Sequence, residues 1–160
     1  EASQYKLKEE LLDNLVHDAI EQVADLAEAK GICIREDAMP SEMFVMANTR
    51  LLVRALVNLL FNAVKFSPAN SHIALNVGYN ATNQNAFITI HNPITHQNIS
   101  NDLTPSMPGF GLGLDFVDTV IRKHHGHITR RIPREGQADI HIELPCVSQA
   151  PHDSAPSVPK

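Results

Sequence analysis

The sequence has no tryptophan, only two cysteines among 160 residues, and aromatic residues amounting to just 5%. Cys33 and Cys146 stand far apart with no C-x-x-C spacing, so no disulfide framework is legible. Two buried thiols in a reducing compartment are the expectation. No run approaches the roughly 18 to 20 apolar residues a membrane-spanning helix needs, and no signal peptide is recognisable. Basic blocks are missing too. With 13 Lys and Arg against 18 Asp and Glu, the formal charge is −5, which argues against nucleic acid as the main partner.

What is present suits one globular domain: 43% hydrophobic and 19% charged residues. The first residue is Glu1, so the chain is expected to be an excerpt of a longer polypeptide. Residues 1–9 read as a linker or helix tail, ending in a short strand near Glu9 to Leu12. From Asp13 to Lys30 the residues Leu15, Val16, Ala19, Ile20, Val23, Leu26 and Ala27 recur at helical spacing, with Asp13 a candidate N-cap and Gly31 a candidate stop. ICIRE and MFVMA are short strand candidates. Residues 49–66 return to the helical period until Pro68 punctuates them. His72 to Tyr79 and Ala86 to His91 alternate around NATNQN and predict a hairpin. Residues 93–110 carry three prolines and no period, a loop long enough to suggest function. A third helix is expected over Leu112 to His125, ended by Gly126, followed by the strands HITRR and ADIHIELP. Residues 147–160, rich in Pro, Ser and Ala, are expected to be a disordered tail. The sum is an α+β two-layer sandwich, a mostly antiparallel sheet with about three helices on one face.

Two stretches carry chemistry. In NLLFNAVKFS, residues 58–67, Asn58, Asn62 and Lys65 fall at i, i+4 and i+7, one narrow stripe of a helix whose opposite face is aliphatic. Asparagine offers a neutral carbonyl oxygen to a hard cation such as Mg²⁺, and lysine a mobile positive charge for phosphate. The stripe fits a Mg-nucleotide site, though a plain polar face would look the same. In PGFGLGLDFV, residues 108–117, Gly109, Gly111 and Gly113 alternate at a helix entry, where free N–H groups and the dipole favour phosphate. The glycines follow a loop rather than a strand, so neither a dinucleotide-binding fold nor a Walker P-loop fits.

Together these stretches resemble the N box and the last glycine box of the catalytic ATP-binding domain of sensor histidine kinases, which has the Bergerat fold. The resemblance covers roughly residues 10–146, including LVHDAIEQVADLAEAKGICI, ANTRLLVRALVNLL and the final ADIHIELP. It implies ATP and Mg²⁺ as ligands. Asn62 matches the asparagine that coordinates Mg²⁺, with Asn58 its helper, and Lys65 matches the residue facing the phosphates. Asn58 and Lys65 thereby become the candidate catalytic residues. Phe66 takes the aromatic position beside adenine or ribose, and Gly109, Gly111 and Gly113 match the glycines that hinge the ATP lid. Leu112 and Leu114 complete the set as anchors of the helix beside the lid.

The chain departs from the family's pattern in its first glycine box. Asn92 stands where an aspartate normally accepts a bond from the adenine amino group, and Ile94 where a glycine follows. The segment from Asn92 to Gly109 is short and lacks the phenylalanine-containing lid motif. Phe61 replaces the acidic or polar residue that usually precedes the metal-binding asparagine, which predicts weak ATP hydrolysis by this domain alone. His17-Asp18 only superficially resembles a phospho-acceptor dipeptide. His124, His125 and His127 cluster at a helix end, where cationic histidine would suit the dipole. His91 and His96 are expected to flank the nucleotide mouth.

The resemblance implies a protein-histidine kinase catalytic domain that presents the ATP γ-phosphate to a histidine outside this chain. Residues 1–9 would then join an upstream dimerisation helix. The implied partners are the histidine-bearing dimerisation domain of the same polypeptide and the receiver domain of a response regulator. Expected also are a full-length homodimer, no nucleic acid, no direct membrane contact, and a cytoplasmic location, including as the cytoplasmic portion of a membrane-bound sensor. The alternatives are a decayed nucleotide site serving as a regulator-docking module and, more weakly supported, an anti-sigma-factor kinase.

Overall fold

The computed structural model describes residues 5–37, 41–94, 114–134 and 136–151. Their order is β1 (Lys8–Leu11), α1 (Leu12–Ala29), β2 (Cys33–Glu36), β3 (Ser41–Ala47), α2 (Thr49–Phe66), β4 (His72–Asn80), β5 (Asn85–Pro93), α3 (Leu114–Lys123), β6 (His127–Arg134) and β7 (Gln137–Pro151). The strands form one seven-stranded sheet in the order β1-β3-β7-β5-β4-β2, with β6 paired to β7. Only β2 and β4 run parallel; the other pairs are antiparallel. The α+β sandwich expected from the pattern is what the chain forms.

Amphipathic periodicity explains the layering. Leu15, Val16, Ala19 and Val23 of α1, and Leu52, Leu56, Leu59 and Leu60 of α2, are almost completely buried against Ile73, Leu75, Ile88 and Ile90 of the sheet. Along β5 the inward positions are Ala86, Ile88, Ile90 and then Asn92, all buried. Period-two alternation thus carries a polar side chain to the inner layer at the strand's end.

The structure corrects several expectations. Helix α1 begins at Leu12, and Leu11 at its cap makes no side-chain cap bond; Asp13 lies in the first turn, where its charge favours the helix dipole instead. Gly31 does end the turn, with φ +71. At α2 the cap is Asn48, whose side chain accepts from the Leu51 N–H at 3.1 Å. Helix α3 ends at Lys123 rather than His125. Cys33 is exposed and Cys146 half-buried; along the edge strand β2 the alternation puts Cys33 and Arg35 on the exposed face, while Ile34 and Glu36 are half-buried. The last strand continues five residues into the expected tail: β7 runs to Pro151, since β3 offers it an antiparallel edge from Val45↔Cys146 to Ser41↔Pro151. Residues 152–160 lie outside the described residues.

Candidate nucleotide-binding site

The stripe predicted on α2 is present, and it is graded. Asn58 is 2% exposed, Asn62 is half-buried and Lys65 is exposed, so the polar groups climb from the core toward solvent along the last turns. Asn62 Oδ1 is buried and has no hydrogen-bond partner among the described residues. Such an acceptor is costly to leave unmet, which makes it a position where a ligand would be gained. Lys65 Nζ lies 5.7 Å from the centroid of the Phe66 ring.

Strand β5 delivers Asn92 to the same end of α2. Its Nδ2 donates to Ser67 Oγ at 3.3 Å and to the Pro93 carbonyl at 3.1 Å, while Ser67 Oγ donates to the Ala63 carbonyl at 2.6 Å. The chain Asn92–Ser67–Ala63 therefore fixes the strand end against the helix one turn from Asn62. Ser67, completely buried, was not singled out in the sequence; a serine just before Pro68 at a helix end was the available signal.

Lys30 is a second residue that no sequence pattern distinguishes. Its Nζ donates to the carbonyls of Val64 and Lys65 at 2.9 and 2.8 Å, placing a cation on the C-terminal end of α2, where the dipole is negative. Burial pushes its amine below the usual lysine range. On the other flank, the Arg54 guanidinium, one turn before Asn58, sits 5.7 Å from the Phe116 ring of α3. The first turn of α3 thus lies beside α2 one turn before Asn58, with Leu114 half-buried. Gly109, Gly111, Leu112 and Gly113 lie outside the described residues, as does His96.

The histidines behave differently from expectation. His91 projects from the opposite sheet face to Asn92, where it bonds Asp139 and lines a groove with Thr89, Arg131 and His141; it does not flank the α2 stripe. His124 is buried and neutral rather than a helix-end cation. Its Nδ1 donates to the Val120 carbonyl at 2.7 Å, its Nε2 accepts from the Asn48 N–H at 3.0 Å, and burial holds its pKa below the usual value. His17 is exposed between Asp13 and Glu36, and the Glu36 carboxyl is pushed up chiefly by burial while His17 pulls it down.

The sequence model of the histidine kinase-, DNA gyrase B-, and HSP90-like ATPase family matches residues 47–148, which hold α2, β4, β5 and α3. The adaptive-response sensory kinase SasA of Microcystis aeruginosa is 26% identical over 148 residues, covering 84% of this chain and 38% of that protein. The sensor protein CutS of Streptomyces coelicolor is 31% identical over 138 residues, covering 78% of this chain and 32% of that protein. The chain thus spans about a third of these relatives' lengths. Among solved structures, a mycobacterial sensor histidine kinase, MprB, superposes with a TM-score of 0.70 at 24% identity, covering 91% of this chain and 99% of that one. The catalytic domain of histidine kinase ThkA superposes at 0.67 with 22% identity, covering 87% and 95%. The chain belongs to the histidine kinase-, DNA gyrase B- and HSP90-like ATPase family, as a catalytic ATP-binding domain of the sensor-histidine-kinase type.

Proposed function

We propose that this domain binds Mg-ATP along the α2 stripe and presents the γ-phosphate to a phospho-acceptor histidine outside the chain. The observation that carries the reading is the buried, unmet Oδ1 of Asn62 on a stripe that leads to an exposed Lys65. A neutral amide oxygen suits Mg²⁺, which keeps several waters and needs few protein ligands, so the donor set fits the ion. Asn62, helped by Asn58, would hold it; when bound, the ion neutralises phosphate charge. Lys65 is placed to meet phosphate oxygens, and Phe66 to cover the nucleoside. Asn92 uses its amide N–H groups on Ser67 and Pro93, so its carbonyl oxygen is the group suited to the adenine amino group. Gly109, Gly111, Leu112, Gly113 and Leu114 complete the site as the lid and its anchor.

Phosphoryl transfer relies mainly on positioning and charge neutralisation, so the domain needs no nucleophile of its own. Phe61, half-buried against the core, supplies no base near Asn62, which suits transfer to a separate histidine better than hydrolysis. Kinase activity, the dimerisation domain, a receiver-domain partner, a full-length homodimer and a cytoplasmic site of action belong to the whole protein in this reading. One solved histidine kinase of this fold, ThkA, is in complex with a response regulator protein, TrrA. Among the described residues no helix is long and apolar enough to cross a membrane. Nucleotide titration with and without Mg²⁺ is the test. Mg²⁺-dependent binding lost in Asn62→Ala is expected; no binding at millimolar ATP would favour a docking module instead.

A further inference from the structure

Away from the α2 stripe, Asp13, His17 and Glu36 bring one potential ligand atom each to within 4.8 Å of one another. Asp13 and His17 are at i, i+4 on the first turns of α1, so helical geometry stacks them on one face. Glu36 arrives from the last position of β2, a separate element. The imidazole lies between the two carboxylates, with Nε2 3.7 Å from Asp13 Oδ1 and Nδ1 3.6 Å from Glu36 Oε2.

We propose that Asp13, His17 and Glu36 form a binding site for a divalent first-row transition metal, with Zn²⁺ the natural probe. Three features separate this trio from a solvated acidic face. First, the donors are mixed, one nitrogen and two carboxylates, the set that zinc takes and magnesium does not favour. Second, the spacing is close to what ligation requires. Bonds of about 2.0 to 2.2 Å to a tetrahedral ion place donors roughly 3.3 to 3.6 Å apart; with one ligand atom from each residue the three donors here lie within 4.8 Å of one another, the 3.7 and 3.6 Å contacts being made by opposite ring nitrogens, Nε2 to Asp13 and Nδ1 to Glu36. His17 is more than half exposed, so turning one ring nitrogen onto the ion asks for side-chain rotation rather than backbone movement. Third, two carboxylates held this near one another repel, and a dication between them relieves that repulsion. Three protein ligands leave a further coordination position open to water or to an exogenous donor. The site would staple the start of α1 to the end of β2. Along α1, Asp13 stands about 25 Å and His17 about 20 Å from Lys30, which touches the end of α2, so none of the three ligands belongs to the nucleotide stripe.

The test uses the whole chain without nucleotide or Mg²⁺. ZnCl₂ is titrated by calorimetry, and thermal unfolding is followed with and without the metal. The expected result is saturable binding at one site per chain and a raised midpoint that EDTA reverses. His17→Gln, Asp13→Asn and Glu36→Gln should each weaken this binding by about tenfold or more. His125→Gln should leave it intact. The three substituted side chains are at least partly exposed, so unchanged metal-free midpoints verify that the variants fold. Absence of saturable binding overturns the proposal. So does binding that survives His17→Gln unchanged or is lost in His125→Gln, because the metal would then sit on other histidines.

Discussion

The Asn48 backbone N–H donates to Nε2 of His124 across 3.0 Å, joining the first residue of the α2 cap to the turn after α3. The other ring nitrogen donates to the Val120 carbonyl, so the ring must be neutral to serve both groups. One histidine thereby holds α3 in fixed relation to α2, the helix that carries the stripe.

Burial lowers the folded-state pKa of His124 below the ordinary 6.5. The unfolded chain then takes up a proton first as pH falls, so the stability His124 contributes is fully present above about 6.5 and declines below it. Denaturant unfolding at pH 7.5 and 5.5 should show lower stability at 5.5. His124→Gln should flatten that difference. The variant should also lose about 1 to 3 kcal/mol at neutral pH, as a buried partner of the Asn48 N–H is removed. An unchanged pH difference in His124→Gln would assign the effect to another group.

Asn62 sets up a trade between stability and binding. Its Oδ1 is buried without a partner among the described residues, so removing the polar group should relieve a cost in the ligand-free protein. Asn62→Leu is expected to unfold at the same temperature as the parent or higher, while the stabilisation by Mg-ATP disappears. Differential scanning calorimetry with and without Mg-ATP reads both effects. A variant that melts lower and still shifts with Mg-ATP would place the ion elsewhere.

How much of this was legible before the structure depends on range. Helix α2 and its stripe follow from local periodicity, which one chain segment carries by itself. Asn92 continues the inward phase of Ala86, Ile88 and Ile90 in the structure, yet in the sequence it was legible only through the resemblance to the family's first glycine box. Lys30 was not: its bonds to Val64 and Lys65 span 34 and 35 residues, and nothing in AEAKG distinguishes a capping lysine from a solvated one. The extension of β7 failed for the same reason. Residues 147–151 look like linker by composition, yet pairing with β3, about a hundred residues earlier, makes them strand. The protonation state of His124 depends on what buries it, which local helix-end logic does not contain.

Lys30 should matter to both stability and the site. Lys30→Met keeps the aliphatic stem and removes the charged donor from the Val64 and Lys65 carbonyls. The pair is partly solvent-exposed, so a loss of about 1 kcal/mol is expected. The frayed last turn of α2 should also loosen Lys65 and weaken ATP binding. Urea unfolding together with nucleotide titration separates the two. Unaltered affinity in a destabilised variant would show that the last turn holds its shape without this cap.

Gly126 offers a purely steric test of how β6 is seated. A Cβ there would collide with the Glu143 carbonyl oxygen and approach the Leu144 side chain to 2.7 Å. The carbonyl is backbone in the middle of β7, where Ile142 and Leu144 are buried, so it has no easy way to retreat. Gly126→Ala must therefore move the turn between α3 and β6, with a cost of about 1 to 3 kcal/mol from overpacking. That turn includes His124, whose bond to Asn48 should lengthen or break. Accordingly, amide exchange at Asn48 should accelerate in Gly126→Ala, beyond what global destabilisation accounts for. A normal exchange rate at Asn48 in a destabilised variant would show that the strain is absorbed in β6 and does not reach α2.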